Sequence, residues 1–267
     1  MSSAKKTLPV TLGNVPSLDI DQAEAYGAEL ASSYAVAMPF PHIVIDDFLP
    51  AELIERIRLS FPAEETADET TYLRGYKGQN KRQINPNQCD PELRSIFSFF
   101  NSAPFLLFLE NLTGITGLIP DPYFNGGGLH ETKTGGYLGV HSDFRINKKL
   151  HLERRLNAII YLNKDWREEY GGNLELWDVA MKHCLEKVSP LYNRCVVFNT
   201  DSDSNHGHPE PLTTPEEVSR RSVALYYYTA SKHIHDEIEV NRTLYKPRPK
   251  ERRSPKYYFN KWFKKKS

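Results

Sequence analysis

Cysteine is scarce in this chain. Only Cys89, Cys184 and Cys195 occur, and no pair has CxxC spacing. An odd count without that spacing argues against a disulfide framework or a zinc knuckle and points to a reducing, cytoplasmic setting. Long apolar runs are also missing. No segment approaches the roughly 20 residues that span a bilayer. The opening MSSAKKTLPVTLGNVPSLDI has no apolar stretch of signal-peptide length. Internal repeats are absent, as are low-complexity tracts outside the C-terminal end.

Net charge is missing as well: 34 Lys and Arg balance 34 Asp and Glu. The balance hides an asymmetry. From Arg242 to Ser267, 11 basic residues face one acid, Glu251, so this end carries +10 and residues 1–241 carry −10. A basic end of this kind can bind an anionic partner, nucleic acid included, or remain a solvated tail. SPKYYFNKWFKKKS offers Ser254 as an N-cap and Pro255 at a first helical position. Tyr258 and Trp262, like Phe259 and Phe263, are four apart, which gathers aromatics on one side of a short helix. About three turns are too few to be stable alone. The expectation is a tail that is solvated or docks in cis on the acidic remainder.

What the chain has in quantity is aromatics, 12% of 267 residues, enough for a substantial core. PHIVIDDFL, residues 41–49, is rich in β-branched residues and predicts a strand. Pro50 and Ala51 then open a helix with apolar positions at Leu53, Ile54 and Ile57. DPELRSIFSFF predicts a helix with Asp90 as N-cap and Pro91 in its first turn. A further helix runs from Pro104 to Leu112 and ends near Gly114. The first twenty or so residues look loosely ordered.

After Pro122 the texture changes. GGYLGVH, RLNAIIYLN, NLELWD, EKVSP, RCVVFNT, NHGHPEPL and RRSVALYYYTA are short strand-like runs separated by turn residues, among them Gly171, Gly172 and Asn173. This spacing predicts a sandwich or barrel-like jelly roll, buttressed by the N-terminal helices. The fold class is α+β, with a double-stranded β-helix (jelly-roll) core. Residues 1–232 form one domain, of which 1–122 support a core at 123–232, and 233–267 are a basic C-terminal extension.

H-x-[DE] is a cheap pattern, and it occurs four times: His141-x-Asp143, His151-x-Glu153, His208-x-Glu210 and His235-x-Glu237. A surface histidine is the default for each. Position separates them. His141 ends a strand-like run, Asp143 follows across Ser142, and the long β segment beyond leads to strand-borne histidines in NHGHPEPL. Antiparallel strands of one jelly roll can bring such distant positions together. Two imidazoles and one carboxylate on one face leave open sites on an octahedral metal, the arrangement of non-haem Fe(II) oxygenases. Zinc prefers a tetrahedral set. His206 and His208 compete for the distal place, and His206 is favoured because Gly207 leaves room beside it. Arg220 and Arg221 open the last long strand. Either could grip a carboxylate with its two-pronged guanidinium, or be a solvated residue at a strand start.

HSD, YLNKDWREEYGGNLELWD, HGHPEPL and RRSVALYYYT, in this order, resemble the 2-oxoglutarate- and Fe(II)-dependent dioxygenases, in their prolyl-hydroxylase-like branch. The likeness is strongest over residues 123–230, and PFPHIVIDDFLPAELIERI resembles the usual lead-in of these enzymes. The resemblance implies that His141, Asp143 and His206 hold Fe(II). It implies that Tyr161 touches the far carboxylate of 2-oxoglutarate and that Asn157 lies near the cosubstrate. The basic partner of that carboxylate falls in RRS. Alternation puts Arg220 with Ser222 and Ala224 on a small, polar face, which favours Arg220 over Arg221.

The activity implied is hydroxylation of an unactivated carbon in a peptidyl or small-molecule substrate. Fe(II), 2-oxoglutarate and O2 take part, ascorbate is compatible as an accessory reductant, and succinate and CO2 are released. No recognisable peptide-substrate domain accompanies the core, so peptidyl proline is one candidate beside a free amino acid or another metabolite. His130, Glu131 and Arg145 are candidates for the substrate side, against a structural role. Tyr137 and Trp177 are expected in the core. Two readings compete: a catalytically silent cupin-like binding module, and a zinc hydrolase built on His206 and His208. Removal of residues 242–267 is expected to leave metal and cosubstrate binding intact.

Overall fold

The computed structural model describes residues 4–63, 70–72, 78–231 and 244–249. The strands that build the site are β1 (His42–Asp46), β2 (Gln79–Ile84), β3 (Gly128–Ser142), β4 (Leu152–Tyr161), β5 (Leu174–Trp177), β6 (Cys184–Val188), β7 (Cys195–Asn199), β8 (Asn205–His208), β9 (Arg220–Ala230) and β10 (Leu244–Tyr245). The larger sheet runs β1-β7-β4-β9-β3-β2, with every neighbouring pair antiparallel. The smaller runs β10-β3-β8-β5-β6, also antiparallel. The long strand β3 serves both sheets. Residues 128–132 pair with β9, and 138–142 pair with β8 and β10. It turns between them at Gly135, which has φ 70°. This is the expected jelly roll.

Four helices, α1 (Ile20–Ala35), α2 (Ala51–Leu59), α3 (Pro91–Phe100) and α4 (Ala103–Thr113), support the larger sheet. Their packing follows from side-chain alternation along the strands. Leu156, Ala158 and Ile160 of β4, with Val223, Leu225 and Tyr227 of β9, share one buried cluster with Leu53, Ile57, Phe97, Phe105 and Phe108 of the helices. The intervening residues face the other way, into the barrel. α3 begins where its sequence says: the Asp90 carboxylate accepts from the Leu93 N–H at 2.9 Å, and Pro91 follows the cap. Gly114 closes α4 in the left-handed conformation.

Two expectations change. The first twenty residues are not loose from residue 4 onward. Ala4–Lys5 pairs in parallel with β1, Val10–Thr11 pairs with Ser17–Leu18, and Leu8 and Leu18 join the main core. Tyr137, expected in the core, is only half-buried, because it follows the turn that carries β3 from one sheet to the other. Trp177 is buried as expected, packs with Val140 and Met181, and donates to Glu175. The aromatic segment 254–263 lies outside the described residues.

Candidate metal centre and cosubstrate pocket

His141 lies near the end of β3, and Asp143 follows in the loop. β8 pairs antiparallel with this half of β3, and His206 stands directly opposite His141. Opposed residues of an antiparallel pair project from the same face. The two imidazoles therefore meet inside the barrel, with ring centroids 4.5 Å apart. Each Nε2 lies 3.5 Å from an Asp143 carboxylate oxygen. Ligating atoms of all three residues fall within 4.8 Å of one another.

The tautomers are set by the backbone. His141 Nδ1 lies 2.8 Å from the Gly139 carbonyl, and His206 Nδ1 lies 2.9 Å from that of Ser204. A carbonyl only accepts, so Nδ1 carries a proton on both rings, which in the neutral tautomer leaves Nε2 as the lone-pair donor. Burial pushes His206 down to about 4, against the pull of Asp143, so its ring is neutral at ordinary pH. Burial would raise the Asp143 carboxyl, but Arg154, then His206 and His141, outweigh it and hold it well below the usual range. Three lone-pair donors face one point, which is the chemistry a 2-His-1-carboxylate metal site needs. His208 is not in this group.

Arg154 is the residue that sequence reading missed. It is fully buried, its guanidinium reaches Asp143 at 3.0 Å, and it stacks 3.4 Å over the Tyr226 ring. Asn157 ties the two together: its Oδ1 accepts from Arg154, and its Nδ2 donates to Asp143 at 2.8 Å. Asn157, expected beside the cosubstrate, thus reaches Asp143 of the candidate metal centre. Regular alternation would turn Arg155 inward along with Asn157. The pairing of β4 with β9 shifts register between Arg154 and Leu156, and this bulge presents Arg154 instead.

Across the barrel, Arg220 points inward and Arg221 outward. The Arg220 guanidinium donates to the Gly172 carbonyl at 2.8 Å and to the Tyr161 hydroxyl at 3.2 Å. Among the described residues no carboxylate pairs with it. Gly172, legible in sequence only as turn punctuation, also admits the side chain, since a Cβ there would lie 3.0 Å from Arg220 Cδ. Arg221 instead pairs with Glu131, which is also bound by Arg82 and Ser219. Glu131 is therefore structural. Arg145 pairs with Glu153, away from the triad.

The inner wall around Arg220 carries more positive charge. Register places Lys81, Thr132 and Arg220 in one row across β2, β3 and β9, with Gln83, His130 and Ser222 in the next. Burial, then Arg220, pulls the Lys81 ammonium down to about 8. Burial, then Arg220 and Lys81, holds His208 well below its ordinary value. Both His208 ring nitrogens are buried without a hydrogen-bond partner. His130 lies 3.0 Å from the Gly126 carbonyl, and burial and Lys81 keep it neutral. The space beside His206 at Gly207 is not free for ligand. A Cβ there would lie 2.8 Å from the Leu138 carbonyl oxygen and 2.9 Å from that of Gly139, so the glycine lets β3 and β8 approach. Of the other H-x-[DE] pairs, His151 is exposed at φ 55°, Glu210 is exposed, and His235 and Glu237 lie outside the described residues.

Residues 127–228 match the family model of the 2OG-Fe(II) oxygenase superfamily. The match covers 102 of the 267 residues, all within the β-rich half of the chain. Prolyl 3-hydroxylase OGFOD1 of Mus musculus is 27% identical over 219 residues, which is 78% of this chain and 37% of that protein. The chain thus spans little more than a third of this curated relative. A Pseudomonas putida prolyl-4-hydroxylase superposes with TM-score 0.54 at 17% identity, over 77% of this chain and 100% of that one. A Trichoplax adhaerens prolyl hydroxylase, solved with a peptide fragment of the hypoxia inducible factor oxygen degradation domain, gives 0.53 at 15%, over 78% and 91%. HygX from Streptomyces hygroscopicus, with nickel, 2-oxoglutarate and hygromycin B bound, gives 0.54 at 12%, over 81% and 97%. At these identities the solved structures share the jelly-roll fold. No helix among the described residues is long and apolar enough to cross a membrane.

Proposed function

We propose that the chain is an Fe(II)- and 2-oxoglutarate-dependent dioxygenase that hydroxylates an unactivated carbon of a peptidyl or amino-acid-like substrate. One observation carries the reading: a His-Asp-His face with both Nε2 atoms turned to Asp143 opens into the same barrel as a buried arginine that no carboxylate among the described residues pairs with. His141, Asp143 and His206 would hold the metal, and Arg220 with Tyr161 would bind the far carboxylate of 2-oxoglutarate. The residues fit both groups. The His206 ring is neutral, Asp143 is ionised, and the pocket's surplus cations call for an anion. When bound, Fe(II) and 2-oxoglutarate supply oxidation by O2, in which the cosubstrate becomes succinate and CO2 and a C–H bond becomes C–OH.

The protein's own part is placement. The Gly139 and Ser204 carbonyls fix the imidazoles. Arg154 and Asn157 hold Asp143 to one orientation. Tyr161 keeps its proton, because burial raises its pKa, and so can donate to a carboxylate. Peptidyl proline is a candidate substrate because three of the four relatives named above are prolyl hydroxylases. Residues 1–232 act in this reading as one oxygenase unit, and a reducing cytoplasm suits both Fe(II) and three free thiols.

The test is anaerobic titration with Fe(II) and 2-oxoglutarate, followed by the visible charge-transfer band of an α-keto acid chelated to Fe(II). Wild type is expected to develop the band. His141→Ala, Asp143→Ala and His206→Ala are each expected to lose it while keeping the apo fold. Absence of the band in the wild type, or its survival in His206→Ala with loss in His208→Ala, overturns the assignment. A search of lysates for a product heavier by one oxygen, formed only with 2-oxoglutarate, then identifies the substrate.

A further inference from the structure

β3 would have an open edge beside His141 if the smaller sheet ended there. It does not end there. β10, drawn from the basic C-terminal extension, pairs antiparallel along that edge, with Leu244 opposite Ser142 and Tyr245 opposite His141. Tyr245 therefore shares the inward face of His141. Its ring centroid lies 5.2 Å from that of the imidazole, at 31° between planes. Since β10 and β8 lie on opposite sides of β3, His141 is flanked by Tyr245 on one side and His206 on the other.

The segment reaches further. The Lys246 N–H donates to the Val140 carbonyl at 2.9 Å, and Lys246 Nζ donates to the Ser202 carbonyl at 3.0 Å. Arg248 pairs with the Glu210 carboxylate. Ser202 lies in the turn before β8, and Glu210 lies two residues beyond its end. Residues 244–249 thus hold the strand that carries His141 and both flanks of the strand that carries His206.

We propose that residues 244–249 are a clasp that completes the metal centre, with Tyr245 a positioning residue for His141. The inference rests on the metal reading above and reverses the expectation that the basic extension is dispensable for metal binding. The physical ground is restraint. A ligand near the end of an unpaired edge strand loses the backbone pairing that limits its motion, and its ring has a free side into which to rotate. β10 supplies the pairing, and Tyr245 fills the free side. Groups that orient a metal ligand without touching the metal change affinity by roughly 10–100-fold when removed.

The test uses the full chain and Co(II), read by its visible absorption under anaerobic conditions. Tyr245→Ala removes the ring. Lys246→Pro keeps the ring but removes the N–H that bonds Val140. Tyr245→Phe keeps both. Tyr245→Ala and Lys246→Pro are expected to weaken Co(II) binding about tenfold or more and to alter the band shape, with the melting temperature of the metal-free protein unchanged. Tyr245→Phe is expected to match the wild type. Wild-type affinity in Tyr245→Ala overturns the role of Tyr245, and wild-type affinity in both variants overturns the clasp. A loss in Tyr245→Phe equal to that in Tyr245→Ala overturns the ring contact as its basis. A wild type that binds no Co(II) is a different failure, that of the metal reading itself.

Discussion

Arg220 and Arg221 are neighbours on one strand and have opposite fates. Arg221 turns outward to Glu131, a carboxylate that it shares with Arg82 and Ser219. Arg220 turns inward to a wall that also carries Lys81, His130 and His208, and among the described residues no carboxylate pairs with it. Both clusters are largely buried, and burial of charge is costly unless it is neutralised. In the outer cluster each arginine has a carboxylate of the protein beside it, and the cluster serves the fold. The inner one lacks such a partner among the described residues, which is the ground for proposing it as the anion-binding site.

Breaking the outer cluster should give the largest effect on stability. Glu131→Gln removes the buried carboxylate that Arg82 and Arg221 share, and a loss of about 3–5 kcal/mol is expected in denaturant unfolding. The cosubstrate affinity of the folded fraction should not change. Burial alone would raise the Glu131 carboxyl, but Ser219 and Arg221 outweigh it and lower it. Its stabilisation is therefore complete above the ordinary carboxylate range and is lost as pH falls through the depressed value.

Breaking the inner cluster should do the reverse. Arg220→Ala is expected to weaken 2-oxoglutarate binding about a hundredfold in calorimetric titrations with Mn(II) present. Arg221→Ala should leave that affinity within about twofold, as a residue facing away from the pocket. Equal effects of the two variants would dissolve the distinction drawn between them.

Gly207 lies where the two strands of the proposed metal centre meet, and its substitution sharpens the picture. A Cβ at that position meets the Leu138 and Gly139 carbonyl oxygens at 2.8 and 2.9 Å, so backbone must move. Gly139 is also the acceptor that fixes the His141 tautomer. Gly207→Ala should cost roughly 1–3 kcal/mol of stability and weaken Co(II) binding, measured as for the clasp variants. Unchanged metal affinity would show that the Gly139 carbonyl is not needed to hold the ring.

The smallest effect belongs to Lys81. Its pKa is depressed from 10.5 to about 8 by burial and then by Arg220, with Asp143 opposing. The folded chain thus binds fewer protons there than the unfolded chain between those values. The cost is complete below about 8 and is relieved as pH rises towards 10.5. Lys81→Met should raise the melting temperature of the apo protein by a few degrees at pH 7, and the gain should shrink at higher pH. The same variant should bind 2-oxoglutarate more weakly. A variant that is neither more stable nor weaker in binding would remove Lys81 from the pocket's charge balance.

Much of this was open to a reader of the sequence. Asp90 before Pro91 marks a helix start by local hydrogen bonding, with no help from the rest of the chain. Alternation along RRSVALYYYT separates Arg220 from Arg221, because the strand period depends only on backbone geometry. Other features were not legible. Lys81 sits in QNKRQI, which lacks the apolar alternation of a half-buried strand and is held in place by pairing with β3. α1 carries its buried face into α4 through Gly27, where a Cβ would lie 2.4 Å from the Phe108 carbonyl, a contact no local pattern signals.

Sequence by itself determined the residue types and faces of the centre: His141 with Asp143, a histidine on a later strand, Tyr161 and Asn157 on one face of β4, and a cation opening β9. These follow from covalent spacing and strand periodicity, which a chain carries with it. Tertiary structure decided which neighbours those residues received. The bulge that turns Arg154 rather than Arg155 onto Asp143, the close approach at Gly207, and the return of Tyr245 to His141 across more than 100 residues all depend on pairing between distant strands. Register of that kind is settled by the energy of the whole sheet, and no short stretch of the chain contains it.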